Sequence, residues 1–127
     1  MGGEYRRISV LIADEQPLFA NSLETLLRYD ERVEVVGRAR NGDEAVELTK
    51  SLSPDVVLMD INMPVMDGFE ATRRIRASGS EVKVIVLTGS DSRADVTRAR
   101  SAGADGYVAK ARIVSDLLDT IVTAASS

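Results

Sequence analysis

The chain has 127 residues, and its 16 Lys and Arg against 20 Asp and Glu give a formal net charge of −4. This length corresponds to one domain, and the acidic balance makes the domain alone a poor binder of nucleic acid. Because the sequence has no Cys and no His, disulfides, thiolate chemistry and imidazole catalysis are excluded, and any metal site must use oxygen ligands, which select hard cations such as Mg²⁺, Mn²⁺ or Ca²⁺.

Five short apolar runs rich in Val and Ile predict β-strands. In chain order they cover Ile8–Ala13, Val33–Val36, Val56–Met59, Val82–Leu87 and Gly106–Ala109. The third run is apolar throughout, which is typical of a strand buried on both faces of a parallel sheet.

Amphipathic segments follow each of these strands. Pro17 stands at the first position of the first predicted helix, and Pro54 ends the second. Asp67-Gly68 opens the third, and the fourth, which is more polar, ends near Gly103. The last segment repeats apolar residues at i, i+3, i+4, i+7 and i+8, as expected of a helix: Val114, Leu117, Leu118, Ile121 and Val122.

Five alternations of strand and helix predict one α/β domain, with a doubly wound parallel sheet and helices on both faces. Residues 1–127 would form this single domain, with flexible ends at 1–6 and 124–127. No apolar run approaches the roughly 18 residues of a membrane span, and the first residues lack the apolar segment of a signal peptide. We therefore expect a soluble, cytoplasmic protein.

Polar side chains stand at the predicted carboxyl ends of four strands. Asp14 and Glu15 follow the first strand, and the third, fourth and fifth strands end in Asp60, Thr88 and Lys110. Open α/β sheets bind their ligands at this edge. Crowded carboxylates repel one another, so they either raise a pKa or hold a divalent cation. A Mg²⁺ bound by carboxylates, waters and a phosphate oxygen fits this set.

The same side chains suit phosphoryl transfer. Asp60 could act as the nucleophile and form an aspartyl phosphate. A metal and Lys110 would neutralise phosphoryl oxygens, and the Thr88 hydroxyl would donate to another. Each residue also has an ordinary structural explanation, such as a turn, β-propensity or a solvated lysine. Five such positions at one edge of the sheet favour the functional interpretation.

Several segments are similar to the response-regulator receiver domains of two-component signalling, and the resemblance covers nearly the whole chain. The similar segments are Leu11–Glu15, Asp55–Gly68, Val84–Ser90 and Ala102–Lys110. The combination of Asp60-Ile-Asn-Met-Pro64, Asp67-Gly68 and the Gly-Ala-Asp-Gly-Tyr…Lys110 segment is highly specific. Residues 14–19 and 35–37 resemble the NarL/LuxR type of regulator.

The resemblance implies a flavodoxin-like (βα)5 fold and a role for each site residue. Asp60 would be the phosphoacceptor. The implied ligands of Mg²⁺ (or Mn²⁺) are Asp14, Glu15, Asp60 and the backbone carbonyl of Asn62. Lys110 would pair with the phosphoryl group, while Thr88 and Tyr107 would switch position. Asn62 and Ser90 flank the site and would tune hydrolysis of the phosphoryl group.

The resemblance also implies partners and an output. A sensor histidine kinase would donate the phosphoryl group, and the domain would gain and lose that group rather than act as a conventional enzyme. A homodimer could form through helices 1 and 5, or through helix 4, strand 5 and helix 5. Transcription would be controlled by a helix-turn-helix output domain that is absent from this chain, so this domain alone would not contact DNA or membrane.

One departure from the family leaves an alternative open. The acidic pair of receivers normally ends in Asp, whereas here Glu15 adds a methylene to a site that requires near-ideal octahedral geometry. A pseudo-receiver, which binds partners without being phosphorylated, is therefore the main alternative. A haloacid-dehalogenase-like phosphatase would need Asp where Asn62 stands. An FMN carrier would place a phosphate where Asp14 and Glu15 repel it.

Overall fold

Strands and helices alternate along the chain, as the sequence predicts. The computed structural model describes residues 6–89 and 93–127. Its elements are β1 (Ile8–Ala13), α1 (Pro17–Arg28), β2 (Val33–Ala39), α2 (Gly42–Leu52), β3 (Val56–Asp60), α3 (Gly68–Ala77), β4 (Lys83–Thr88), α4 (Arg93–Ala102), β5 (Gly106–Ala109) and α5 (Ile113–Ala125). A single 3₁₀ turn, Lys110–Arg112, joins β5 to α5.

All the strand pairings are parallel, and the five strands lie in the order β2-β1-β3-β4-β5. This confirms the predicted flavodoxin-like α/β sheet. The chain runs outward from β1 to β2 and then crosses back to β3, so the strand order reverses between β1 and β3. Ligands of such sheets bind at the carboxyl ends of the strands beside this reversal. Ala13 pairs with Met59 there, which places Asp14 and Asp60 next to each other.

Alternating strand residues build two apolar layers, one on each face of the sheet. Leu11, Val57 and Met59 belong to the layer that includes Phe69 and Ile75 of α3. The strand residues that alternate with these belong to the other layer: Val10, Ile12, Val56 and Leu58. Helices α1 and α5 cover that layer with Leu23 and Leu117. Every residue of β3 is buried, as expected for the central strand of a sheet covered on both faces.

The ends of several elements differ from the sequence prediction. β2 continues to Ala39 instead of Val36, because its backbone stays paired with β1 beyond the apolar run. α5 extends to Ala125, so the tail predicted to be flexible overlaps the last turn of a helix. Residues 1–5 lie outside the described residues.

The predicted helix starts are confirmed. Pro17 is the first residue of α1, and the Asp67 side chain accepts a hydrogen bond from Glu70 N at 2.9 Å to begin α3. Such side-chain caps satisfy amide groups that the helix itself leaves unpaired. In residues 6–89 and 93–127, no helix is both long enough and apolar enough to cross a membrane.

Arg76 ties three elements together at the amino-terminal edge of the sheet. Its Nε donates to Gly103 O at 2.8 Å, its Nη1 donates to Ser80 O at 3.1 Å, and its Nη2 pairs with the Asp105 carboxylate. That carboxylate also accepts from Val84 N at 2.8 Å. Gly103 has φ +101°, and a Cβ there would lie 2.6 Å from Arg76 Cγ. The end of α4 is therefore fixed to α3 and to β4.

Replacing Arg76 should destabilise the fold. We expect Arg76→Met to lower the free energy of unfolding by about 2–3 kcal/mol, because Asp105 loses its charged partner and two carbonyls lose their donor. Arg74→Met is the matched control on the same helix, since among the described residues the Arg74 side chain makes an exposed contact to Glu70, and its loss should cost much less. Urea unfolding measures both, and equal losses would contradict the assigned role.

Candidate functional site

Asp60 is the last residue of the central strand, and only 2% of its surface is exposed. The loop after β3 folds back over it, because Gly68 N donates to Ile61 O at 3.1 Å. A Cβ on Gly68 would lie 2.2 Å from the Asp60 carbonyl oxygen. Only glycine fits this close approach, which places the start of α3 directly against the end of β3.

Lys110 brings a positive charge to Asp60. Its Nζ lies 3.1 Å from Asp60 Oδ1, and its side chain is 30% exposed. The angles of a hydrogen bond are not met, so Asp60 Oδ1 has no hydrogen-bond partner among the described residues. The pair is therefore an ionic contact in which the ammonium keeps donors available for another acceptor.

Asp14 places a second buried carboxylate at this edge, one residue beyond β1 and 3% exposed. Its Oδ1 accepts a hydrogen bond from Gln16 N at 2.8 Å, whereas Oδ2 has no hydrogen-bond partner among the described residues. Burial raises the pKa of Asp14, the hydrogen bond from Gln16 opposes that rise, and the nearby charge of Asp60 adds to it. The site thus concentrates negative charge that Lys110 offsets only in part.

The other predicted site residues lie around this buried group. Thr88 ends β4 and is fully buried, whereas Glu15 and Asn62 are exposed on the rim. Tyr107 on β5 is 38% exposed. Ser90 lies outside the described residues. The structure therefore brings Asp14, Asp60 and Lys110 into one electrostatic group, with Thr88 at the same sheet edge.

The chemistry of this edge fits a hard divalent cation. Two buried carboxylate oxygens, Asp14 Oδ2 and Asp60 Oδ1, have no hydrogen-bond partner among the described residues. Burying such atoms costs free energy unless a cation or a hydrogen-bond donor satisfies them. The described parts of the chain hold no ready-made group of three or more acidic side chains in metal-binding geometry. Glu15 would have to turn inward to complete the predicted ligand set.

The loop that follows Asp60 contains a strained turn. Met66 N donates to Pro64 O at 2.7 Å, and Val65 between them has φ +70°. A β-branched residue rarely adopts a positive φ, so neighbouring contacts must hold the turn in place. One such contact joins Met66 O to the start of α2, where Gly42 N donates to it at 3.0 Å.

Sequence reasoning missed one aromatic neighbour of the site. The ring centroid of Phe19, on the first turn of α1, lies 4.6 Å from Lys110 Nζ. In the sequence, Phe19 was considered only as part of residues 14–19, which resemble NarL/LuxR-type regulators. Its placement depends on α1 crossing the edge of the sheet, although Pro17 at the start of the helix is a local indication of where that turn begins.

A second aromatic contact borders the site. Arg98 on α4 stacks over the ring of Phe69, with its guanidinium carbon 4.2 Å from the ring centroid. Both residues line an open groove of about 320 Å³ that also reaches Asn62 and Gly89. Stacking of this kind joins α4 to the first turn of α3 beside the loop that follows Asp60.

Comparison with known proteins identifies the family of this chain. The family model described as the response regulator receiver domain matches residues 10–122. The chain is 40% identical over 116 residues to the transcriptional regulatory protein LnrK of Bacillus subtilis, covering 91% of the chain and 53% of LnrK. It is 35% identical over 118 residues to the nitrate/nitrite response regulator protein NarL of Escherichia coli, covering 93% and 55%. The chain thus spans about half the length of the curated relatives it matches.

Solved structures give the same result. The crystal structure of a LuxR-family DNA-binding response regulator from Staphylococcus aureus shares 30% identity, with a TM-score of 0.86 over 93% of this chain and 98% of that one. The predicted resemblance to NarL/LuxR-type regulators is confirmed by these matches. This chain belongs to the response regulator receiver domain family of two-component systems.

Proposed function

We propose that this domain accepts a phosphoryl group on Asp60 from a sensor histidine kinase and changes conformation to control an output. The observation that supports it best is the pairing of buried Asp60 with Lys110 at 3.1 Å, beside the buried carboxylate of Asp14. A nucleophile, a counter-charge and a candidate metal ligand thus share the carboxyl edge of the sheet. Phosphoryl transfer depends mainly on such positioning and charge neutralisation.

The proposed reaction begins with attack by an Asp60 carboxylate oxygen on phosphorus. An oxygen–phosphorus bond forms while the nitrogen–phosphorus bond of a phosphohistidine donor breaks, and the electron pair leaves with the imidazole, which takes up a proton. Lys110 would move its charge from the carboxylate to a phosphoryl oxygen. The Thr88 hydroxyl would donate to another phosphoryl oxygen.

The acidic residues would supply a site for Mg²⁺ or Mn²⁺. The proposed ligands are Asp14, Glu15, Asp60 and the backbone carbonyl of Asn62. When bound, the cation neutralises charge on the transferring phosphoryl group. Asp14 Oδ1 accepts the hydrogen bond from Gln16 N, whereas Oδ2 has no hydrogen-bond partner among the described residues and could bind the cation.

Phosphorylation would bias the domain between two conformations. New negative charge at Asp60 would draw Lys110 and Thr88 toward the phosphoryl group, and Tyr107, now 38% exposed, would turn inward. Asn62 and Ser90 would tune how fast water removes the group. The domain would gain and lose a phosphoryl group without acting as a conventional enzyme.

The output and partners follow from the family. LnrK is named a transcriptional regulatory protein, and we propose control of transcription through a helix-turn-helix domain outside this chain, in the cytoplasm. A homodimer through α1 and α5, or through α4, β5 and α5, would transmit the change. With a net charge of −4, this domain would not itself bind DNA.

A pseudo-receiver that binds partners without phosphorylation is the second candidate. The exposed position of Glu15 favours it, because a metal site here needs that side chain to turn inward. The contact between buried Asp60 and Lys110 argues for the phosphoacceptor, since a binding module has no need of a buried carboxylate oxygen that lacks a hydrogen-bond partner.

The phosphoacceptor assignment predicts that Asp60→Asn abolishes covalent labelling. Intact-protein mass after incubation with acetyl phosphate and Mg²⁺ should show a phosphoryl adduct on the wild-type domain and none on the variant, because the amide is not a nucleophile of this kind. Asp67→Asn is the control in the same loop, since Asn caps α3 as well as Asp does. An adduct on Asp60→Asn at the wild-type rate would overturn the assignment, and no adduct on the wild type would favour the pseudo-receiver.

The metal-site assignment predicts that Glu15→Asp improves the reaction. Shortening the side chain by one methylene suits the octahedral geometry of Mg²⁺, so we expect about a 3- to 10-fold gain in Mg²⁺ affinity or labelling rate, corresponding to ~1 kcal/mol. Glu15→Gln, which removes the charge at the same length, should lower both. Mg²⁺ titration of the labelling rate measures the effect, and equal behaviour of all three proteins would exclude Glu15 as a ligand.

The electrostatics predict that Asp14→Asn stabilises the metal-free domain. The folded pKa of Asp14 is raised, so the native state binds more protons than the unfolded state between the two pKa values, and stability falls as pH rises through that interval. At pH 7 without metal, removing this charge should therefore raise the free energy of unfolding.

Urea unfolding in EDTA, from pH 4 to 7, checks this prediction. The stability advantage of Asp14→Asn should grow as pH rises and then level off, while labelling is lost. Asp119→Asn, an exposed residue of α5, is the control and should change little. A less stable Asp14→Asn at pH 7 would contradict the prediction.

A further inference from the structure

One ammonium group touches both an aromatic ring and the proposed phosphoacceptor. Lys110 Nζ lies 4.6 Å from the ring centroid of Phe19 and 3.1 Å from Asp60 Oδ1. The contact to Asp60 lacks hydrogen-bond geometry. The ring is a further attractive surface for this charge, because a cation within about 6 Å of a ring centroid is attracted to its face.

The start of α1 is built to hold the Phe19 ring in this place. Gln16 N donates to Asp14 Oδ1 at 2.8 Å, and Pro17 then begins the helix, so the same short segment carries a proposed metal ligand and the ring. The neighbouring Leu18 is 83% exposed, whereas Phe19 packs against the apolar layer under α1 and α5. Leu18 therefore faces solvent, whereas the adjacent Phe19 faces the site.

A contact from β2 fixes this turn. Arg38 Nη1 donates to Asn21 Oδ1 at 2.6 Å, and its Nη2 donates to Pro17 O at 3.4 Å. Arg38 also lies 3.6 Å from Glu24. The first turn of α1 is therefore anchored to the neighbouring strand, and Phe19 is presented from a fixed backbone.

We propose that Phe19 is a positioning residue for Lys110, whose ring holds the ammonium at the face of the site during phosphoryl transfer. The proposal rests on the phosphoacceptor function given above. A lysine has a flexible four-carbon stem and gives up much rotamer freedom when it is held in one place. With 30% of its side chain exposed, Lys110 can also turn toward water. The ring favours the inward position.

This arrangement suits a charge that must move during the reaction. Lys110 would leave the carboxylate oxygen of Asp60 and follow the phosphoryl oxygen only a few ångströms away. A cation–π contact has little directional preference over the ring face, so it tolerates this shift where a fixed hydrogen bond would not. Phe19 can therefore hold the lysine before and after transfer.

The competing explanation is that Phe19 only fills space in the apolar layer. Phe19→Leu keeps an apolar side chain but removes the aromatic face, and Phe19→Tyr restores that face. We expect Phe19→Leu to lower the maximal labelling rate with acetyl phosphate and Mg²⁺ by roughly 3- to 10-fold, and Phe19→Tyr to stay within about 2-fold of the wild type. The half-saturating Mg²⁺ concentration should not change. Leu18→Ala, the exposed neighbour, is the matched control.

A double-mutant cycle separates positioning from packing. In a Lys110→Met background, Phe19→Leu should have no further effect on the rate, because the charge that the ring positions is gone. The same fold-loss in both backgrounds, or a rate for Phe19→Leu equal to that of the wild type, would overturn the proposal.

A second measurement tests the contact without any phosphorylation. Ring currents should shift the NMR signals of the Lys110 ε-methylene protons upfield in the wild type and in Phe19→Tyr, and the shift should vanish in Phe19→Leu. An absent shift in the wild type would overturn the proposal itself. A wild-type shift together with no labelling of the wild-type domain would instead overturn the phosphoacceptor function and leave the contact standing.

Discussion

The burial of two carboxylates at one edge of a parallel sheet is the constraint that shapes this molecule. Reversal of the strand order between β1 and β3 makes Asp14 and Asp60 neighbours, and both are almost fully covered. Carboxylates in such surroundings lose hydration and repel one another, which raises the pKa of Asp14. The fold tolerates this cost because Lys110 arrives from β5 as a counter-charge. In the proposed function, a bound cation would offset part of this repulsion, and a phosphoryl group on Asp60 would change the charge that Lys110 balances.

Much of the fold and of the site could be predicted because the strand ends are local features of the sequence. Apolar runs that stop at a charged residue define where Asp60 and Lys110 stand, and parallel pairing forces those ends to one edge. The segments resembling receiver domains then suggested the roles. By contrast, the extension of β2 to Ala39 depends on pairing with β1, which a polar stretch after Gly37 does not reveal.

Contacts between distant side chains were beyond sequence reasoning. Phe19 and Lys110 lie far apart in the sequence and meet because α1 crosses the sheet edge. Arg76 and Asp105 meet through the relative placement of α3 and β5. Such pairs leave no periodic pattern, since each residue by itself reads as part of a helix face or a turn. The exposure of Glu15 likewise depends on the conformation of its loop.

Helix α4 is attached by contacts of different strength near the two ends of the strands. At the amino-terminal edge, Arg76 makes several charged and neutral hydrogen bonds around Gly103 and Asp105. Near the site, among the described residues, Arg98 on α4 stacks on Phe69 of α3. Charge-assisted hydrogen bonds resist displacement more than an exposed cation–π contact does. Under the proposed function, a change of charge at Asp60 would act first on the contact beside the site. The Arg76 contacts would then form the fixed end of any movement of α4.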